Sequence, residues 1–128
     1  MHNKILFEYA IIRLVPKVER EEFMNIGVIT LCTSLKEVRV LYHLNEERIK
    51  LFAPELDLEE IKRHVASLAS IGSGAPHSGP IGKLDAPSRF RWLTAIRSTV
   101  IQSSRIHPGM CSGSFEETTL KLFTQFVL

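Results

Sequence analysis

Arginine recurs in this chain at a spacing suited to anions. The run Arg89-Phe90-Arg91-Trp92-Leu93-Thr94-Ala95-Ile96-Arg97-Ser98 holds three arginines and the single tryptophan, and His107-Pro108-Gly109 follows. A guanidinium offers a planar fork that grips carboxylate or phosphate through two parallel hydrogen bonds. A histidine can exchange a proton near neutral pH. Between Lys83 and Arg105, five cations face one acid, Asp85. Such a segment is either a solvated basic face or an anion-binding surface. Arg13 stands apart, on an otherwise apolar stretch. An unpaired guanidinium is costly there, so it calls for a carboxylate, and Glu22 is its candidate partner. One reading is an Arg13–Glu22 staple between strand and connector. The other is a shared anion pocket faced by Arg13 and Arg97. The candidate ligand-binding or interface residues are therefore Arg13, Glu22, Asn25, Arg89, Arg91, Trp92, Arg97, Ser98 and His107.

Other chemistries find less to work with. His107 and Cys111 stand four apart with no further ligand nearby. A structural zinc takes four, so no metal site is expected. Gly109-Met110-Cys111-Ser112-Gly113 has the spacing of a nucleophile elbow with cysteine at its centre, but no serine has that surround. Cys111 is expected to be buried or structural. Gly82-Lys83 is followed by Leu84, so the hydroxyl that a phosphate loop places on magnesium is missing. Glu21 and Glu22 suit a solvated connector. Glu59 and Glu60 suit the first turn of a helix, where acids favour the dipole. No catalytic residue and no cofactor is nominated, and whether the chain is an enzyme stays open.

The elements that must position these residues follow from periodicity. Phe7 to Pro16 is strand-like, with Tyr9, Ile11, Arg13 and Val15 on one face and Ala10, Ile12 and Leu14 on the other. Two apolar faces mark a central strand, and Pro16 ends it. Asn25 to Cys32 predicts a second buried strand, with Gly27 at a bulge or close backbone approach. Glu37 to Leu44 alternates as a half-buried strand, which completes a three-stranded meander. Asn45 caps a short helix through Phe52. Asp57 with Glu60 opens a longer one, whose Leu58, Ile61, Val65 and Leu68 recur at helical spacing, with Gly72 as its stop. Residues 71–87, rich in Gly and Pro, are expected to form a long loop. Arg89 to Leu93 alternates basic and apolar residues, which predicts a strand with Phe90 and Trp92 inward. Ser98 to Gln102 predicts another. Ser114 with Glu117 opens a last helix, with Leu120, Phe123 and Val127 in its apolar stripe.

The chain has 128 residues, 45% hydrophobic and 23% charged, with a formal net charge of +2. That size suits one domain spanning 1–128, and the charge is too mild to imply a nucleic-acid partner. Phe90 and Trp92 could stack bases, but a core role is the simpler expectation. No apolar run reaches membrane-spanning length, so no membrane partner is expected. Two cysteines and an N-terminus without a signal core point to a cytoplasmic protein. The expected fold is α+β: a mostly antiparallel sheet of four to six strands with two or three packed helices.

Two segments resemble a known family. Tyr9-Ala-Ile-Ile-Arg-Leu-Val-Pro16 followed by Glu22-Phe-Met-Asn-Ile-Gly-Val28 resembles the start of the bacterial family called domain of unknown function 3037. Arg89-Phe-Arg-Trp-Leu-Thr-Ala-Ile-Arg-Ser98 with His107-Pro-Gly109 resembles its second signature. The family often has glycine where this chain has Glu21, and proline where it has Ile96. The resemblance supplies no activity. It implies a companion role to a HipA-like kinase, by gene neighbourhood alone. Two functions are therefore expected: an interaction module whose contact surface is the Arg/Trp segment, or a small enzyme or binding domain for an anionic small molecule or nucleotide, using Arg13, Arg97 and His107.

Overall fold

The computed structural model describes residues 5–95 and 99–128. Its centre is an antiparallel sheet. Strands β1 (Leu6–Leu14), β2 (Met24–Cys32) and β3 (Glu37–Tyr42) form the meander, and β4 (Ile101–Ser103) and β5 (His107–Met110) pair with opposite halves of β1 on its far side. Five helices complete the described chain: α1 (Glu46–Phe52), α2 (Leu58–Ser73), α3 (Gly79–Gly82), α4 (Ala86–Thr94) and α5 (Phe115–Phe126). The protein is a single α+β domain.

β1 is central because both its faces are apolar. Ile12 and Leu14 pack with Ile26, Ile29 and Leu31 under α2 and α4. Phe7 packs with Cys32 and with Phe115 of α5 on the opposite face. Gly27 fulfils both expectations set for it. The β1–β2 register shifts beside it, pairing Ile12 with Gly27 and Arg13 with Asn25. A Cβ at Gly27 would also stand 2.8 Å from the Leu41 carbonyl oxygen, so only glycine lets β3 approach this closely.

The helix starts follow the caps. Asn45 Oδ1 accepts the Arg48 N–H at 3.1 Å, and Asp57 Oδ1 accepts the Glu59 N–H at 3.0 Å. Ser114 Oγ accepts the Glu117 N–H at 3.0 Å, which is one half of a capping box, and its hydroxyl donates to the Glu117 carboxylate.

Three expectations are corrected. α2 runs through Gly72 and stops at Gly74, whose φ of 70° is left-handed. The Gly74 N–H bonds Ile71 O and the Ala75 N–H bonds Ser70 O, which closes the helix as a Schellman motif. Gly72 instead lies against Val40, where a side chain would clash. The expected loop over 71–87 accordingly contains the end of α2, all of α3 and the start of α4.

The second correction concerns Arg89 to Leu93, which is helix rather than strand. Asp85 caps it, with Pro87 in its first turn. Ala86, Phe90 and Leu93 are buried at helical spacing. Five alternating residues fit both periods, and the Asp-x-Pro start decides for helix. The third concerns α5: of the expected stripe Val127 is buried and Phe123 half-buried, but Leu120 is 55% exposed, and Phe115, Thr118 and Thr119 carry the buried side.

Candidate functional site

The helical form of residues 86–94 reassigns the arginine–tryptophan segment. Residues two apart on a helix point about 200° apart. Phe90 is therefore buried, while Trp92 remains 37% exposed. Arg89 and Arg91 part in the same way. Arg89 turns inward and donates from Nη1 to Leu84 O at 2.7 Å and from Nε to Gly72 O at 3.3 Å. It ties the end of α2 to the start of α4. Arg91 is exposed on the outer side. Asp85 accepts the Ser88 N–H at 2.8 Å. The Ser88 hydrogen bonds, chiefly, hold its carboxyl below the usual range, with smaller help from Arg91 and Arg89.

Trp92 opens onto a groove between α2, α4 and β4. A cavity of about 240 Å³ there is lined by Ile12, Leu68, Trp92, Leu93 and Ile101, with His64 and Ser103 at its polar side. A second cavity of about 280 Å³ adjoins it, holding Asp57 and Glu60, and the two share His64, Thr99 and Ile101. His64 was not among the sequence candidates. Its signal is its place on α2, on the flank of the stripe Ile61, Val65 and Leu68, which is visible only once the helix is drawn.

The opposite face of the sheet carries Arg13, Asn25 and His107. α5 lies against it. Cross-strand register sets Gln102, Arg13 and Asn25 in one row over β4, β1 and β2. A second row over β5, β1, β2 and β3 holds His107, Tyr9, Thr30 and Arg39. Tyr9 packs its ring on His107 at 5.2 Å and on Phe126 at 6.3 Å. The buried Thr30 and Thr119 hydroxyls meet at 2.9 Å. Arg13 and Tyr9 stand four residues apart on β1, about 13 Å along the strand. Arg13 and His107 thus belong to different rows of the same face.

Arg13 does not pair with Glu22. Glu22 bonds Arg20 instead, because both sit on the exposed turn between β1 and β2. The Arg13 guanidinium lies over the Phe23 ring at 4.0 Å, an attraction to the ring face that needs no carboxylate. Its Nε is buried without a hydrogen-bond partner, as is Asn25 Oδ1. Asn25 Nδ2 donates to Phe126 O at 3.1 Å, so it anchors the end of α5. Arg97 and Ser98 lie outside the described residues.

The thiols share the α5 face. Cys32 is buried, and Cys111 packs partly buried against the same cluster rather than fully enclosed. Burial is the main cause that pushes the Cys111 thiol up, which lowers its thiolate fraction at neutral pH. Among the described residues no three His, Cys, Asp or Glu side chains converge on a metal position, and no helix is long and apolar enough to cross a membrane.

Comparison with protein families decides the affiliation. The model described as "Protein of unknown function (DUF3037)" matches residues 9–127. The chain belongs to this family. The DUF3037 match runs from within β1, at Tyr9, through α5, so both candidate surfaces lie within it. No curated protein and no solved structure matches the chain. Glu21 has φ 57° and ψ 17°, the left-handed conformation that glycine adopts most readily.

Proposed function

We propose that this DUF3037 chain is an interaction module, and that the groove beside Trp92 is its contact surface. The observation that carries the reading is the shape of that groove. Its two adjoining cavities, about 240 and 280 Å³, share His64, Thr99 and Ile101 and so form one elongated trough of successive depressions. Small depressions beside a part-exposed tryptophan suit the side chains of another protein, since Trp and Arg are favoured in the energetic centres of interfaces. Arg91 stands next to Trp92 on the outer side of α4. Arg89 takes no part, being committed to backbone carbonyls. The partner class implied by the family resemblance is a HipA-like kinase.

The test is affinity capture from the native host, with mass spectrometry, of the wild type and of an Arg91→Ala/Trp92→Ala variant. The expected result is a kinase-like protein captured by the wild type and lost from the variant. Equal capture by both proteins, or none by either, removes the reading.

One observation favours the second reading, an anion-binding domain. Arg13 Nε and Asn25 Oδ1 are neighbours in register, buried, and without hydrogen-bond partners. A ligand offering an acceptor to the first and a donor to the second, such as a singly protonated phosphate, would satisfy both. Titrating inorganic phosphate while following the Asn25 side-chain amide by NMR tests this. The expected result is a saturable shift that Arg13→Met abolishes; an unresponsive Asn25 signal ends it.

A further inference from the structure

β4 is an edge of the sheet. It bonds β1 on one side, and among the described residues no strand lies on the other. The register shows which of its backbone groups face out. The Val15 N–H bonds Val100 O at 2.6 Å, and the Ser104 N–H bonds Ile11 O at 2.8 Å. Along an antiparallel strand, inward- and outward-facing residues alternate. Val100, Gln102 and Ser104 therefore turn their backbone groups toward β1, and Ile101 and Ser103 turn theirs away. The Ile101 carbonyl accepts the Thr99 hydroxyl at 2.6 Å. Among the described residues nothing bonds the Ile101 N–H or either backbone group of Ser103, and these groups face outward.

The groove described above runs along this edge. Its two cavities differ in chemistry. One is walled by Trp92, Leu93 and Leu68, and the other holds the carboxylates of Asp57 and Glu60, with no lysine or arginine in its lining. Side chains on one face of a strand recur every second residue, about 7 Å apart. A strand laid against β4 would thus present successive same-face side chains to adjoining cavities. Recognition by strand addition works in this way: backbone bonds supply affinity and alternate side chains supply specificity.

We propose that a partner protein docks by adding an extended segment as a strand to β4, seating a large apolar side chain against Trp92 and, two residues away, a lysine or arginine against Asp57 and Glu60. The inference rests on the interaction-module reading and gives the partner its chemistry. Charge complementarity selects the basic residue, and the apolar wall selects its neighbour.

The experiment pans a displayed random dodecapeptide library on the full-length protein, then measures the enriched sequence as a synthetic peptide. Enriched sequences are expected to pair a basic residue with a large apolar one two positions away. The peptide is expected to shift the Ile101 and Ser103 amide resonances. Glu60→Lys should weaken it at least tenfold. Ser103→Pro, which removes one outward N–H at an edge that tolerates proline, should do the same, with thermal melts verifying that both variants fold. Enrichment of acidic sequences, no enrichment over bare resin, or unchanged binding in both variants overturns the proposal. The host capture separates the two levels. A partner lost from Arg91→Ala/Trp92→Ala but kept by Glu60→Lys and Ser103→Pro would leave the module standing and remove strand addition.

Discussion

At Glu21 the chain holds an L-residue in a conformation that favours glycine. Its φ of 57° follows a single turn of 3-10 helix, Val18–Arg20, and its N–H bonds Val18 O at 3.2 Å. A left-handed L-residue costs roughly 1–2 kcal/mol. The side chain is exposed, so little packing is lost on removing it. Glu21→Gly is therefore expected to stabilise the fold by about 1 kcal/mol, less the added freedom of the unfolded chain. Urea unfolding measures it, and a lower midpoint would show that the Glu21 side chain is needed. Arg13 was legible as an anomaly for the right reason, since it does sit among apolar neighbours. Its partner was not legible, because a ring face can replace a carboxylate and the aromatic residue that does so, Phe23, lies across a turn.

The start of α4 is held by two residues: Arg89, which bonds carbonyls outside the helix, and Asp85, its cap. Arg89 bridges Gly72 O at the end of α2 and Leu84 O before α4. Replacing it with methionine keeps the stem and removes both bonds. Arg89→Met is expected to cost about 1–3 kcal/mol without altering partner capture, whereas Arg91→Ala/Trp92→Ala should abolish capture. Equal stability of Arg89→Met and wild type would contradict the bridge. Asp85 adds a pH dependence. Its folded pKa lies below the unfolded value of about 3.9. Its contribution is therefore present above that value and lost as pH falls through the folded pKa. Asp85→Asn keeps a capping side chain but no charge. The stability gap between wild type and Asp85→Asn should be seen at pH 6 and should narrow below about pH 4, as denaturant midpoints at both pH values would show.

Across the whole molecule, two helical layers cover the two faces of one sheet. α2 and α4 bury the larger cluster, and α5 the smaller. The α5 layer is keyed by a buried polar contact. The Thr119 hydroxyl donates to Phe115 O at 2.9 Å. Its proton is thus used, and Thr30 must be the donor in the Thr30–Thr119 bond. The two replacements are then unequal. Thr119→Val strands the Thr30 hydroxyl in the core and should cost about 1–3 kcal/mol. Thr30→Val leaves Thr119 bonded to Phe115 O and should cost less. The double variant should cost less than the two singles together, and additive losses would rule out the contact.

The meander, the three helix caps and the α+β class were set by local pattern: alternation over β1 to β3, and Asn45, Asp57 and Ser114 ahead of apolar stripes. These depend on neighbours within a few residues, which the sequence displays directly. Tertiary structure decided which side of α4 meets the core, and so separated Arg89 from Arg91 and Phe90 from Trp92. It decided that Arg13 stacks on Phe23, that Gly72 admits Val40, and that His64 borders a groove with β4. Each of these joins residues from separate elements. Their proximity depends on how helices cross the sheet, and that geometry is fixed by the packing of whole faces rather than by any one segment.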